Sequence, residues 1–167
     1  QWLGDQDGAM IDGYSVEGPW VLIENRLFLP LRGRYVEDRV EAAYARGVRQ
    51  LVILGAGLDS FAWRKPDALA DLEVFEVDHP STQNWKRARL DELGWEHPSG
   101  VHFVPCDFEK MSVSEALEAT TFDPGQPSIF SWMGVIYYLE QETVTAALRE
   151  LATLLSTGSE LVFDAML

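Results

Sequence analysis

The chain has 167 residues, 27 acidic against 13 basic, and a formal net charge of −14. That length supports one domain whose core needs neither disulfide nor metal. The single cysteine, Cys106, excludes an internal disulfide, and the acidic field makes nucleic acid and anionic lipid unexpected partners. His79, His97 and His102 stand apart without zinc-ligand spacing, so no metal is expected. No apolar run approaches the ~20 residues of a membrane span, and no basic leader opens the sequence, so a cytoplasmic location is expected. The sequence starts at Gln1 and stops at Leu167 just after an apolar strand, which points to missing residues.

Residues 1–31 read as an N-terminal extension or lid, because Gly4, Gly8, Gly13, Gly18 and Pro19 resist regular structure and the apolar segment from Val21 ends at Pro30. From Arg32 the chain leads into a helix with Val36, Val40, Ala43 and Tyr44 on one face, stopped by Gly47. Gln50 and the apolar run Leu51–Leu54 are too short for a helix and read as a buried central strand. It runs into Gly55-Ala56-Gly57, where the backbone is free to turn sharply, and Asp59-Ser60 can cap the short helix of Phe61, Ala62 and Trp63.

The second strand is Glu73–Asp78, and its terminal acid lies about 20 residues beyond Gly57, the offset at which a carboxylate meets a cofactor ribose. Ser81 is the predicted cap of a helix reaching Leu93, with Trp85, Ala88, Leu90 and Leu93 inward and Lys86, Arg87 and Arg89 outward. The third strand, Val101–Pro105, is followed by Asp107, which can accept from an adenine amino group. A modest helix over Ser112–Thr120 and a turn at 123–127 precede the fourth strand, Ser128–Met133, which runs into Gly134 and Tyr137-Tyr138. Val144, Ala147, Leu148, Leu151, Leu154 and Leu155 give the cleanest helical period, and Gly158 turns that helix into a fifth strand, Glu160–Ala165.

Strands alternating with helices predict an α/β fold, a doubly wound, mainly parallel sheet with helices on both faces, whose ligands bind at the strands' carboxyl ends. Gly55, Gly57, Asp78, Asp107 and Gly134 all fall there. Without a ligand the same residues would be an ordinary strand-to-helix turn, a cap beside Pro80 and a loop aspartate, and Cys106 a small buried residue. A dinucleotide fold wants a third glycine where Ser60 stands, and no triphosphate-binding loop occurs. Carboxylates at Asp59, Asp78 and Asp107 suit a ligand without phosphate that carries ammonium, sulfonium and hydroxyl groups, and S-adenosyl-L-methionine has all three.

Four stretches resemble the class I S-adenosylmethionine-dependent methyltransferases, and within them the leucine carboxyl methyltransferase-like family with its bacterial O-methyltransferase relatives. They are Arg32-Gly33-Arg34-Tyr35-Val36-Glu37-Asp38, the turn Val52–Ser60, Glu76-Val77-Asp78-His79-Pro80, and Phe130–Leu139. The resemblance implies that Arg32, or Arg34 two positions on, pairs with the methionine carboxylate as a bidentate fork. It implies that Gly55 and Gly57 border the methionine moiety, that Asp78 holds the ribose, and that Asp107 with Phe108 meets adenine; Ala56, Asp59, His79 and Met133 complete the expected cofactor set. Met133 stands where the leucine carboxyl branch has a glutamate, so carboxyl methylation of a protein phosphatase is not expected, and relatives continue beyond Leu167 into further strands.

The expected reaction is in-line O-methyl transfer to a carboxylate or hydroxyl of a small or natural-product-like acceptor. Trp132, Tyr137 and Tyr138 are its candidate pocket, and a hydroxyl acceptor needs a base, for which Tyr138 and His79 are the candidates. The competing readings are a catalytically silent cofactor-binding partner and a nicotinamide-dependent oxidoreductase. An apolar fifth strand left at a sheet edge would call for further residues, a homo-oligomer or a second chain to cover it.

Overall fold

The apolar run Gln50–Leu54 forms β1, and all five of its residues are buried. A strand covered on both faces has no reason to alternate apolar and polar residues. Glu73–Asp78 (β2), Val101–Pro105 (β3), Ser128–Trp132 (β4) and Glu160–Phe163 (β5) join it in a sheet of order β3-β2-β1-β4-β5, every pairing between these strands parallel. In register, Leu51 lies opposite Val74 on one side and Ile129 on the other. The computed structural model describes residues 19–165, with side chains from residue 28 onward. Within the expected 1–31 extension, residues 1–18 lie outside the described residues.

Alternation sends Val52, Leu54, Phe75, Val77, Phe130 and Trp132 to one face, where they form a continuous core with Leu117 and Leu151. Leu51, Val74 and Ile129 are buried on the opposite face. The helices are α1 (Pro19–Ala45), α2 (Phe61–Arg64), α3 (Pro80–Glu92), α4 (Val113–Glu118) and α5 (Gln141–Leu154). Ser112 and Glu115 close α4 with a reciprocal capping box. On α5, Leu151 is buried and Val144, Ala147, Leu148 and Leu154 pack against the core, the face that the sequence period marks.

Two helices differ from the sequence reading, one of them in two respects. Helix α1 passes through Pro30 instead of ending there; proline removes one hydrogen bond, and the leucines and arginines around it are good helix formers. Helix α3 is turned the other way: Gln83 and Lys86 are buried, while Trp85 and Leu93 are exposed. The N-cap of α3 is His79 and not Ser81, because Pro80 occupies the first turn and the imidazole accepts from the Ser81 amide.

The chain divides into two compact units, Gln1–Glu37 and Asp38–Leu167. Arg32 and Arg34 lie on α1 in the first, where the Arg32 guanidinium stands 5.8 Å from the Phe28 ring centroid. The sheet and all the other candidate site residues belong to the second.

Candidate functional site

The strand order reverses between β1 and β4, so the loops after β1, β2 and β4 converge at one end of the sheet. After β1 the chain bends through Gly55 (φ 67°) and Gly57 (φ 49°), both left-handed. The Gly55 and Ala56 amides donate to the Val77 carbonyl of β2 at 2.7 and 3.3 Å, which folds the bend over the neighbouring strand. A Cβ on Gly55 would stand 2.3 Å from Val135 Cγ2, so this glycine also admits the loop after β4. A Cβ on Gly57 would meet only the Gly55 carbonyl, at 3.9 Å, leaving open space beside that position.

Asp78 closes the bend from β2. Its Oδ2 accepts from the Gly57 amide and its Oδ1 from the His79 amide, the latter at 2.6 Å. Each oxygen has one donor from the main chain and a lone pair left over, so the carboxylate is oriented before any ligand arrives. The β3 loop is tied to the same place, because the Cys106 amide donates to the Asp78 carbonyl at 2.8 Å. Asp107 then accepts from the Glu109 amide at 3.1 Å and from Lys110 Nζ at 2.6 Å, and these donors hold its carboxyl below the usual range.

His79 Nδ1 accepts from the Ser81 amide at 3.3 Å and lies 2.7 Å from Ser81 Oγ. The proton of the neutral ring therefore sits on Nε2, which is 3.7 Å from Asp107 Oδ2. With its lone pair engaged at the helix cap, His79 is a poorly disposed general base. Ser60 holds the N-cap position of α2 without a side-chain cap bond; the Asp59 Oδ1 accepts from the Phe61 amide at 2.7 Å instead, while Ser60 Oγ accepts from Arg64 Nε at 2.9 Å.

After β4, Met133, Val135 and Tyr137 are half-buried, and Tyr138, in the short turn Ile136–Tyr138, is 76% exposed. Trp132 does not share that opening. It is wholly buried in the core, its ring 6.4 Å from that of Phe108, so as an acceptor-pocket residue it is corrected to a packing residue under the β3 loop. A large residue of an alternating strand two positions before Gly134 reads equally well either way in sequence. Cys106 is buried, and burial pushes its thiol up to about 11, away from nucleophilic use.

A family model described as leucine carboxyl methyltransferase matches residues 17–152. The chain belongs to the leucine carboxyl methyltransferase family. Among its relatives, a Bacillus subtilis protein provisionally named an S-adenosyl-L-methionine-dependent methyltransferase is 38% identical over 133 residues, covering 80% of this chain and 43% of its own length. A similarly named protein of Mycobacterium bovis is 33% identical over 164 residues, covering 98% and 52%. The chain thus spans about half the length of the curated relatives it matches. Among solved structures, a DUF574-family protein of Streptomyces avermitilis superimposes with a TM-score of 0.65 at 20% identity, covering 91% of this chain and 58% of the other. A provisionally named methyltransferase of Thermobifida fusca gives 0.59 at 21% identity, covering 80% and 51%. These likenesses establish the Rossmann-like fold of class I methyltransferases for this family member. No described helix is long and apolar enough to cross a membrane.

The sequence reading missed two residues of this end of the family fold. Val135 was hidden because its role depends on Gly55 having no side chain. Lys86 was set on the outer face of α3, yet its ammonium lies 2.5 Å from Glu76 Oε2 and 2.6 Å from the Asp59 carbonyl. The signal was Glu76 itself: an acid in a strand paired on both sides requires a donor from the covering helix.

Proposed function

We propose that this chain is the cofactor-binding part of an S-adenosyl-L-methionine-dependent O-methyltransferase acting on a carboxylate or hydroxyl of a small, natural-product-like acceptor. The observation that carries the reading is the Asp78 carboxylate, presented at the tip of β2 by the Gly57 and His79 amides directly beside the glycine bend. The ligand's form fits that place. A diol can donate two hydrogen bonds to the two remaining lone pairs, and a Cβ at Gly57 would meet only the Gly55 carbonyl, so no side chain fills the place proposed for the adenosyl group. Family membership and the relatives' names support the same cofactor over a nicotinamide.

When bound, the cofactor supplies an activated methyl group on a sulfonium. The chain's own part is placement. Asp78 fixes the ribose and Asp107 with Phe108 borders the adenine. Gly55 and Gly57 carry no side chain that would stand between ligand and sheet, and Arg32 or Arg34 would hold the methionine carboxylate. A carboxylate acceptor needs no proton removed. A hydroxyl acceptor does, and Tyr138 stands at the exposed mouth after β4, whereas the His79 lone pair is taken by the helix cap. Tyr137 and Tyr138 offer aromatic surface to a flat acceptor or to the sulfonium.

Titration of the chain with S-adenosylhomocysteine and, separately, with NAD tests the cofactor. Binding of the first and not the second is expected, and the reverse would overturn the reading. Transfer of a labelled methyl group to a panel of carboxylates, phenols, amines and thiols tests the reaction, and labelled nitrogen or thiol products with no labelled oxygen would contradict O-methylation. Arg32→Met and Arg34→Met made separately decide the fork: the arginine that meets the cofactor weakens binding about tenfold or more on removal.

A further inference from the structure

We infer that Lys86 positions the cofactor-binding bend: anchored on Glu76 in the interior, its ammonium holds the main-chain carbonyl of Asp59 and so fixes the turn that presents Gly57 to Asp78. This deepens the cofactor reading and rests on it for the identity of the ligand. Lys86 is 5% exposed and Glu76 1%. The ammonium donates to Glu76 Oε2 and to the Asp59 carbonyl, and it lies 5.1 and 6.0 Å from the ring centroids of Trp63 and Phe103. The other oxygen, Glu76 Oε1, is buried with no partner among the described residues.

Stability alone is a weak reason to keep such a pair. Two apolar residues of similar volume commonly serve as well or better, because burying two charges costs much of what their attraction returns. The third participant distinguishes this pair. Asp59 donates through its amide to the Ala56 carbonyl at 2.7 Å and accepts from the Phe61 amide through its side chain, so Lys86 supplies the bond that ties this self-contained turn to α3. Glu76 and Asp78 are two residues apart on β2 and face the same side. One strand therefore secures the bend twice, at Gly57 through Asp78 and at Asp59 through the Glu76–Lys86 pair.

The test uses the full chain with S-adenosylhomocysteine, comparing Lys86→Met and the double variant Glu76→Met with Lys86→Met by calorimetric titration, thermal melting and amide hydrogen exchange. The double variant leaves no unpaired charge inside, so it separates folding from positioning. Both variants are expected to bind the ligand about tenfold more weakly than the unaltered chain, with faster exchange at Gly57, Asp59 and Phe61. Native affinity in a folded double variant would overturn the inference and leave Lys86 a packing residue. In the unaltered chain those three amides are expected to exchange far more slowly than free loop amides; free-loop rates there would overturn it whether or not the variants fold. If the unaltered chain binds no S-adenosylhomocysteine, the cofactor reading itself falls, a result distinct from equal binding by chain and variants.

Discussion

The loops after β1 and β2 and the loop after β4 sit at the same end of one sheet and are built in opposite ways. The first is bonded to the end of β2, Gly55 and Ala56 to Val77 and Gly57 to Asp78, whose carboxylate is also held by the His79 amide. The third carries Tyr138 at 76% exposure, and it meets the first through the Val135 methyl groups against Gly55. Recognition of an invariant ligand favours groups fixed in advance, since nothing then remains to be ordered on binding. A surface that selects among acceptors has no such constraint. On the proposed reading, the difference teaches that the cofactor side would be written into this chain's own main-chain bonds and the acceptor side presented on side chains.

The largest effect is expected where the bonded side is cut. Asp78→Ala would remove the two charge-assisted bonds proposed to the ribose, each worth about 1.5–3 kcal/mol, and should weaken S-adenosylhomocysteine binding by about 100-fold or more. Asp78→Asn, which keeps an acceptor but loses the charge, should fall between. An Asp78→Ala protein with native affinity would erase the contrast between the two sides.

Next comes pH, which reads the interior beneath the bonded loops. Burial raises the Glu76 carboxyl from 4.5 to about 7, with Lys86 opposing the rise and Asp59 and Asp78 adding to it. The folded state then holds the proton more tightly than the unfolded one. Its stabilisation is fully present below about 4.5 and is lost as pH climbs to about 7, a decline of roughly 3 kcal/mol by this group. Urea unfolding from pH 4.5 to 7.5 should show that decline in the native chain and lack it in Glu76→Gln; parallel profiles would place Glu76 in contact with water.

Gly55→Ala joins the two sides. The new methyl would fall 2.3 Å from Val135 Cγ2 at a positive φ, and the variant should lose about 2 kcal/mol of stability. Adding Val135→Ala should return the part due to the clash and leave the backbone strain. Additive losses in the double variant would show that the β4 loop does not rest on the glycine. The smallest effect is reserved for Tyr138→Phe, expected to alter acceptor KM or kcat while shifting cofactor affinity by less than about twofold.

The five strands, the glycine bend and Asp78 were legible because each is set by local rules: short apolar runs make buried parallel strands, and paired glycines permit the turn that places an amide over the next strand's terminal acid. The same rules failed on α3. Counting Trp85 and Leu93 as the inner face follows hydrophobicity, but the position of Glu76 on β2 selects Gln83 and Lys86 instead. That choice depends on a partner ten residues away in another element, which no periodicity contains. Trp132 failed for a related reason: its face is decided by strand alternation carried through from Phe130, while its size suggested a pocket. In sequence His79 offers an imidazole; in the structure that group caps the start of a helix.

The most direct measurement is a crystal structure of the chain with S-adenosylhomocysteine. Both ribose hydroxyls should lie within hydrogen-bonding distance of the Asp78 oxygens, with the adenosyl group passing over Gly57 and the adenine beside Phe108. A nucleoside bound elsewhere, such as the groove that Met111, Ser114 and Glu150 line between the β3 loop and α5, with Asp78 untouched, would contradict the account.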